Sequence, residues 1–347
     1  MNNLLASLKL WRKERKGESY NCPHVANFFL AFPFHHIDGE QVVSFCCELS
    51  LRFPHVKLAK TGDETIQNFK MMRAKFIEEG FSTKNNSKRI ISTPCDACHE
   101  YSFGKWKNQK HIQMVHLSMT PAPCQSKCSY CEVIKMHNNF HDPSVQESYR
   151  RVFDTIDCAE ADGLISPTAE WMISSGEICI HPFKDRILDL VQDKKAIFFT
   201  NGFLFDERIG YILSSNPNAG INISIDSGTP ETWHKIKGVD NFSKVVNNLS
   251  QYRSCSIAHN QIILKYILLH GINDTYEDFS GIISIMHNLN IPLLIISRER
   301  RCYDRRSELI KSAGKFVKML SENSLGYTLH SYSSEEEKQI INIAQES

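Results

Sequence analysis

Residues 112–133 read IQMVHLSMTPAPCQSKCSYCEV, an apolar strand-like run followed at once by a loop that holds three cysteines. Their spacing is Cys124-x3-Cys128-x2-Cys131. Three thiolates so close together can bind three irons of one cuboidal cluster and leave the fourth iron open to a substrate or cofactor, whereas a four-cysteine cluster is closed. A zinc ion on the same cysteines is the alternative. Zinc more often takes two pairs at x2 to x4 spacing, and a fourth partner for this trio is not obvious. Tyr130 stands directly before the last cysteine and could cover a bound cluster.

Outward from this loop, short apolar runs alternate with helical segments. Strands are predicted at Ile112–Leu117, Glu170–Ser174, Ala196–Thr200, Ile221–Ile225, Ile262–Leu269 and Leu293–Ser297. Helices are predicted near 143–157, 183–192, 206–214, 241–253, 276–288 and 306–322. Such alternation implies βα units and a parallel sheet. Six units are too few for a closed eight-stranded barrel but suit an open, partial (β/α)6 barrel, where chemistry gathers at the C-terminal ends of the strands. The expected fold is α/β: a barrel over 106–325, a small cysteine-rich α+β domain over 1–105, and a tail over 326–347. Tyr332–Ser347, with its run Glu335–Glu337, reads as a surface helix.

Three further motifs sit after successive predicted strands. Ser174-Ser175-Gly176-Glu177 follows the second, Thr200-Asn201-Gly202 the third, and Ser224-Ile225-Asp226-Ser227-Gly228 closes the fourth. Each alone is commonplace in turns; Ser224 could be an ordinary strand residue and Asp226 a helix cap. Together with the cysteine loop they resemble the radical S-adenosylmethionine (SAM) superfamily, whose signature CxxxCxΦC, with Φ aromatic, is matched by Cys124, Cys128, Tyr130 and Cys131. The resemblance covers about 111–300. It implies a 4Fe-4S cluster on the three cysteines, with SAM chelating the open iron. One electron from the reduced cluster then splits the sulfonium carbon–sulfur bond, and a 5′-deoxyadenosyl radical abstracts hydrogen from the substrate. The protein supplies orientation and a dry pocket. Ser175, Gly176 and Glu177 resemble the family's GGE motif, which contacts the methionine amino group, with Ser in place of the first Gly. Asn201 lies in the motif after the third strand, and Ser224 and Asp226 lie where the family places groups that bind the ribose.

Twelve cysteines is a high count, and tight clusters of them in a reducing cytosol are more often metal ligands than disulfides. Cys22, Cys46 or Cys47, Cys95 and Cys98 could supply four thiolates. Residues 25–47 read as a hairpin, with Val25–His36, a turn at Asp38-Gly39 and a return over Gln41–Cys46. Residues 64–79 read as an amphipathic helix closed by Gly80. This first part has too little continuous apolar sequence for a large core, so a bound metal would help to hold it together. Adjacent Cys46 and Cys47 point to opposite strand faces, which leaves one of them as the ligand without saying which. The arrangement resembles the SPASM and twitch domains of radical SAM enzymes, which implies an auxiliary cluster, here a second 4Fe-4S. Most such domains follow the barrel, so the N-terminal placement is a departure. A structural zinc site on the same cysteines is the alternative. His35, His36, Cys158, Cys179, Cys255 and Cys302 read as packing or surface residues.

With 40 basic and 39 acidic residues the net charge is +1, unlike the basic surplus of a typical nucleic-acid binder. No apolar stretch approaches the roughly 20 residues that cross a bilayer. The opening MNNLLASLKLWRKERK places its charges after a short apolar patch, the reverse of a secretion signal. The expectation is a cytoplasmic protein with no membrane or nucleic-acid partner. The resemblance implies oxidoreductase-type chemistry that oxidises or crosslinks a peptide or protein residue. The alternative is a small polar metabolite such as an aminosugar or nucleoside, and flavodoxin or ferredoxin is the implied electron donor. A metal-binding protein without catalysis is a third reading. Lys265 and Tyr266 on the fifth strand and Arg298 and Glu299 at the end of the sixth are candidate catalytic residues, although alternation turns one of each pair toward the helices.

Overall fold

Apolar runs bounded by Pro, Gly and capping residues give strands and helices that largely alternate from Ile112 onward among the described residues. The computed structural model describes residues 18–32, 41–46, 55–80, 102–105, 107–119, 121–131, 137–174, 176–299 and 305–346. They divide into two compact units, 1–121 with 139–172, and 122–138 with 173–347.

The first unit contains β1 (Glu18–Asn21), α1 (Pro23–Ala26), β2 (Phe29–Phe32), β3 (Val42–Ser44) and β4 (His55–Lys57). It continues with α2 (Gly62–Gly80), β5 (Ser102–Lys105), β6 (Ile112–Leu117), α3 (Pro143–Ala161) and β7 (Ile165–Ile173). β1 pairs antiparallel with β5, and the other strands lie in the order β7-β6-β2-β3-β4. The expected hairpin is present as the antiparallel β2–β3 pair, with Ala31 opposite Ser44; its Asp38-Gly39 turn lies outside the described residues. The hairpin starts later than Val25. Pro23 opens a short helix whose first turn is capped by Cys22, with Sγ accepting from the Val25 N–H at 3.4 Å, and Phe28 then turns the chain at φ 53°.

On its other edge β2 pairs parallel with β6, from Phe29 opposite Met114 to Phe32 opposite Leu117. That pairing gives the amino-terminal segment the core its sequence lacks locally. Phe29, Leu30, Phe32, Val43, Phe45 and Phe69 are all sealed from solvent, and each such side chain contributes about 1.5–3 kcal/mol. α2 packs on α3, and the Gly62 N–H at its start donates to Asp154 Oδ2 at 2.5 Å. Arg73 on α2 reaches back to the Val25 carbonyl at 2.6 Å and lies 4.1 Å over the Phe28 ring. Burial lowers its pKa to about 10.

The second unit contains α4 (Lys184–Val191), β8 (Lys195–Thr200), α5 (Glu207–Ser215), β9 (Gly220–Ser224), α6 (Pro230–Lys237) and α7 (Phe242–Cys255). It ends with β10 (Ile262–Leu268), α8 (Tyr276–Asn288), β11 (Leu293–Arg298), α9 (Arg306–Glu322), β12 (Gly326–His330) and α10 (Ser334–Glu346). β8 to β12 form one parallel run in sequence order. The α/β class and mostly parallel sheet of a partial barrel are therefore as expected. Side-chain caps start the helices: Asp206 accepts from Arg208 and Ile209, Thr229 from Thr232, and Thr275 from Asp278.

In the second unit three elements differ from the sequence reading. α6 and β12 were not anticipated, and the tail does not simply coat the surface. β12 joins the sheet beside β11. α10 packs on α9, with Ile340 fully buried.

Candidate active site

The cysteine loop belongs entirely to the second unit. The thiols of Cys124, Cys128 and Cys131 are half-buried and form no disulfide. Cys131 N–H closes a tight turn onto the Cys128 carbonyl at 3.0 Å, and Ser126 Oγ lies 2.9 Å from Cys128 Sγ.

Two backbone bonds pin this loop to the end of α6, from Lys127 N–H to the Lys237 carbonyl at 3.1 Å and from Ser129 N–H to the Ile236 carbonyl at 2.9 Å. A buried side-chain knot backs them. Tyr130 donates its hydroxyl hydrogen to Asp226 Oδ2 at 2.5 Å. Lys237 Nζ bonds the same oxygen at 2.5 Å and the Tyr130 hydroxyl at 2.9 Å.

Asp226 is a correction to the ribose-binding reading. It is wholly buried, and its Oδ1 accepts from the Ile267 N–H at 2.7 Å. Its carbonyl accepts from Asn273 Nδ2 at 2.8 Å. With both carboxylate oxygens engaged by the chain and no solvent-facing surface, Asp226 anchors the loop. Its φ of 47° belongs to this constrained turn at the end of β9. Tyr130 is drawn inward through its hydroxyl by the same knot. Ser224, half-buried at the end of β9, stands in register with Lys265.

A second group meets the loop at Cys124. Gly176, at φ 56°, brings the turn after β7 so close that a Cβ there would lie 2.6 Å from the Pro123 carbonyl oxygen. Glu177 N–H donates to that carbonyl at 2.9 Å. The Glu177 carboxylate is buried and braced by Thr200 Oγ1 at 2.6 Å, the Asn201 N–H at 2.7 Å and the Cys179 N–H at 3.3 Å. Burial raises its pKa against these hydrogen bonds, which lower it. Asn201 Nδ2 points at Cys124 Sγ, 3.8 Å away. Burial, the Glu177 charge and the neighbouring thiols push the Cys124 pKa up to about 11, against a backbone hydrogen bond at Ser126 that lowers it. Ser175 lies outside the described residues.

The residues fit a cluster on several grounds. Three half-buried thiols share one braced loop, and a buried cation, Lys237, interacts electrostatically with Cys128 and Cys124. Beside Cys124, the Gln125 amide has both its oxygen and its nitrogen buried without a partner. Among the described residues no three His, Cys, Asp or Glu side chains are placed to share a single metal ion. A cluster asks for a different spread, because each thiolate binds its own iron.

The candidate catalytic residues separate by strand face. Tyr266 is fully buried on the helix side, between Phe279 of α8 and Phe316 of α9, and its hydroxyl donates to the Asn273 carbonyl at 2.6 Å. That placement makes it a core residue. Arg298 is on the same face: it pairs with Glu336 of α10 at 2.7 Å and lies 5.6 Å over the Tyr332 ring. Lys265 is on the opposite face of β10, in register with Ser224 and Ile295. Glu299 N–H extends the strand pairing to the Leu268 carbonyl at 3.2 Å.

Of the amino-terminal cysteines, Cys22 and Cys46 are half-buried in the first unit and form no disulfide; Cys47, Cys95 and Cys98 lie outside the described residues, as do His35, His36 and Cys302. Cys179 is a packing residue: its Sγ lies 3.6 Å from the Leu204 carbonyl and 3.7 Å from the Tyr252 hydroxyl. Among the described residues no helix is long and apolar enough to cross a membrane.

Residues 122–286 match the model of the radical SAM superfamily. The chain carries a radical SAM domain. Among curated proteins, the chain is similar to the GTP 3′,8-cyclase of Haemophilus influenzae (strain 86-028NP), 22% identical over 179 residues, which are 49% of this chain and 50% of that protein. The GTP 3′,8-cyclase of Vibrio parahaemolyticus is 26% identical over 175 residues, 48% of this chain and 49% of that protein. The chain thus spans about half the length of the curated relatives it matches. Among solved structures, Streptococcus suis SuiB bound to S-adenosylmethionine superposes with a TM-score of 0.51 at 12% identity, covering 78% of this chain and 56% of that one. At that identity the likeness speaks for the fold alone.

Lys237 is the site residue that sequence reasoning missed. The signal was the Thr229-Pro230-Glu231 start and Lys237-Gly238 end of a short capped helix.

Proposed function

We propose that this chain is a radical SAM enzyme that holds a 4Fe-4S cluster on Cys124, Cys128 and Cys131 and uses it to cleave SAM. The observation that carries the reading is the convergence of the Glu177 carboxylate and the Asn201 amide on the Cys124 side of the braced cysteine loop. When bound, the cluster and SAM supply one-electron cleavage of a carbon–sulfur bond and hydrogen-atom abstraction from the substrate. The chain's own residues orient and exclude water. Glu177 Oε1 accepts two hydrogen bonds and Oε2 one, so Oε2 keeps a lone pair with which to receive the SAM ammonium. Asn201 directs an amide N–H at the Cys124 sulfur, and Ser224 offers a hydroxyl to the ribose. Gly176 lets the turn that carries Glu177 lie directly against Pro123.

For the substrate we favour a small polar metabolite of the nucleoside or nucleotide kind. Sequence similarity to proteins named GTP 3′,8-cyclase supports this reading, as does the placement of Lys265 and Ser224 together on the face of the sheet opposite Tyr266. Oxidation or crosslinking of a peptide residue is the second reading, supported by the pattern of amino-terminal cysteines that resembles SPASM and twitch domains. We assign a second 4Fe-4S cluster to Cys22, Cys46 or Cys47, Cys95 and Cys98, with flavodoxin or ferredoxin as the electron donor in a cytoplasmic setting.

The test is anaerobic purification of the wild type and of a Cys124/Cys128/Cys131 triple Ala variant, with iron and sulfide analysis and detection of 5′-deoxyadenosine after addition of SAM and dithionite. About eight irons should fall to about four in the variant, as two cubane sites require, and 5′-deoxyadenosine should vanish with them. A colourless wild type that holds only zinc would refute the reading.

A further inference from the structure

We propose that Lys237 is a positioning residue that locks the cysteine loop and sets the reduction potential of the cluster, with Asp226 as its opposing charge. The inference rests on the radical SAM reading above. Lys237 is attached to the loop three times. Its carbonyl accepts the Lys127 N–H, its Nζ bonds the Tyr130 hydroxyl, and through Asp226 it holds the ring that stands between Cys128 and Cys131. Gly238, the left-handed cap of α6, brings the helix end so close that a Cβ there would lie 3.2 Å from Lys127 Cβ. The ammonium also lies 5.3 Å over the Tyr130 ring and 5.5 Å over the Trp233 ring.

A lysine with 1% of its surface exposed is rare, because desolvating an ammonium is costly unless it is paired. Salt-bridge formation alone explains the pair but not its place. Apolar side chains of similar volume generally stabilise a core at least as well as a buried ion pair does. The position matters because reduction adds one negative charge to a cluster already ligated by three thiolates. In a low-dielectric interior a nearby fixed cation favours the added electron and a nearby anion opposes it. Lys237 Nζ, hydrogen-bonded to Tyr130 within the loop, interacts electrostatically with Cys128 and Cys124, while the charge on Asp226 is shared among Lys237, Tyr130 and the Ile267 N–H. Removing the cation therefore lowers the potential, and removing the opposing anion raises it.

The experiment is a redox titration of the anaerobically reconstituted full chain, followed by the electron paramagnetic resonance signal of the reduced cluster. Wild type, Lys237→Gln, Lys237→Arg and Asp226→Asn are compared. Lys237→Gln should titrate at a lower potential than wild type, and Asp226→Asn at a higher one. Lys237→Arg, which keeps the charge, should restore the wild-type value. A purely structural role would lower cluster occupancy in all three without opposite shifts. If Lys237→Gln does not fold, the upward shift of Asp226→Asn carries the test alone, and its absence overturns the proposal. Coincident potentials, or shifts of the same sign, overturn it as well. A wild type with no cluster to titrate refutes the radical SAM reading instead, which keeps the two failures distinct.

Discussion

Replacing Gly176 by alanine should harm the protein more than its small size suggests. At φ 56° an L side chain sits in the left-handed region, at about 1–2 kcal/mol. The new Cβ would also fall 2.6 Å from the Pro123 oxygen and 2.7 Å from Ala122 Cβ, and such overpacking costs about 1–3 kcal/mol. The sum is about 2–5 kcal/mol. At about 2–4 °C per kcal/mol for a unit of this size, the Tm should fall by about 4–20 °C. Gly271 supplies the control, because it has φ 73° and no heavy atom within 4 Å of an added Cβ. Gly271→Ala should show the backbone contribution alone, about 1–2 kcal/mol. Relief of the clash must come from Ala122 and Pro123, which lead into Cys124, so Gly176→Ala should also lose iron while Gly271→Ala keeps it. Calorimetry of the two variants beside an iron assay decides the matter. Equal melting temperatures with full iron in both would refute the packing argument.

Tyr266→Phe removes the donor to the buried Asn273 carbonyl and should destabilise by about 1–3 kcal/mol. The yield of 5′-deoxyadenosine per folded molecule should not change; lost turnover with unchanged urea stability would return the ring to the pocket. Burial raises the Glu336 carboxyl pKa, but hydrogen bonds from Arg306 and Ser333 and the charge of Arg298 overcome it and hold the value at about 2. A depressed pKa contributes stability that is whole above the ordinary value of 4.5 and is lost as pH falls toward 2. Wild type should therefore lose urea stability across that window more steeply than Glu336→Gln, and parallel curves would contradict the assignment.

The helices and strands of the second unit are legible in the sequence because local signals agree there. The Ile262–Leu268 strand, for example, alternates buried and half-buried residues along its length, and Tyr276–Asn288 has a threonine cap and an apolar face. The cysteine loop and the Gly176-Glu177 turn are legible for a different reason: close spacing and position after a strand are properties of the chain itself. What escapes is set by distant partners. Asp226 looks like a ligand-binding residue until Lys237, Tyr130 and Ile267 are seen to enclose it. Tyr266 and Lys265 are adjacent in sequence, and only the packing of Phe279 and Phe316 decides which one meets the helices. β12 lacks a buried apolar face, so nothing in its own residues announces that it joins the sheet.

The pairing of β2 with β6 has a consequence for synthesis. Phe29–Phe32 leaves the ribosome long before Met114–Leu117 exists to receive it. Through that interval a wholly apolar strand has one flank without its hydrogen-bonding partner, the condition under which nascent chains stick to one another. A cell making this protein must shelter that stretch until the later strand emerges, and overproduction that outruns such shelter should yield inclusion bodies.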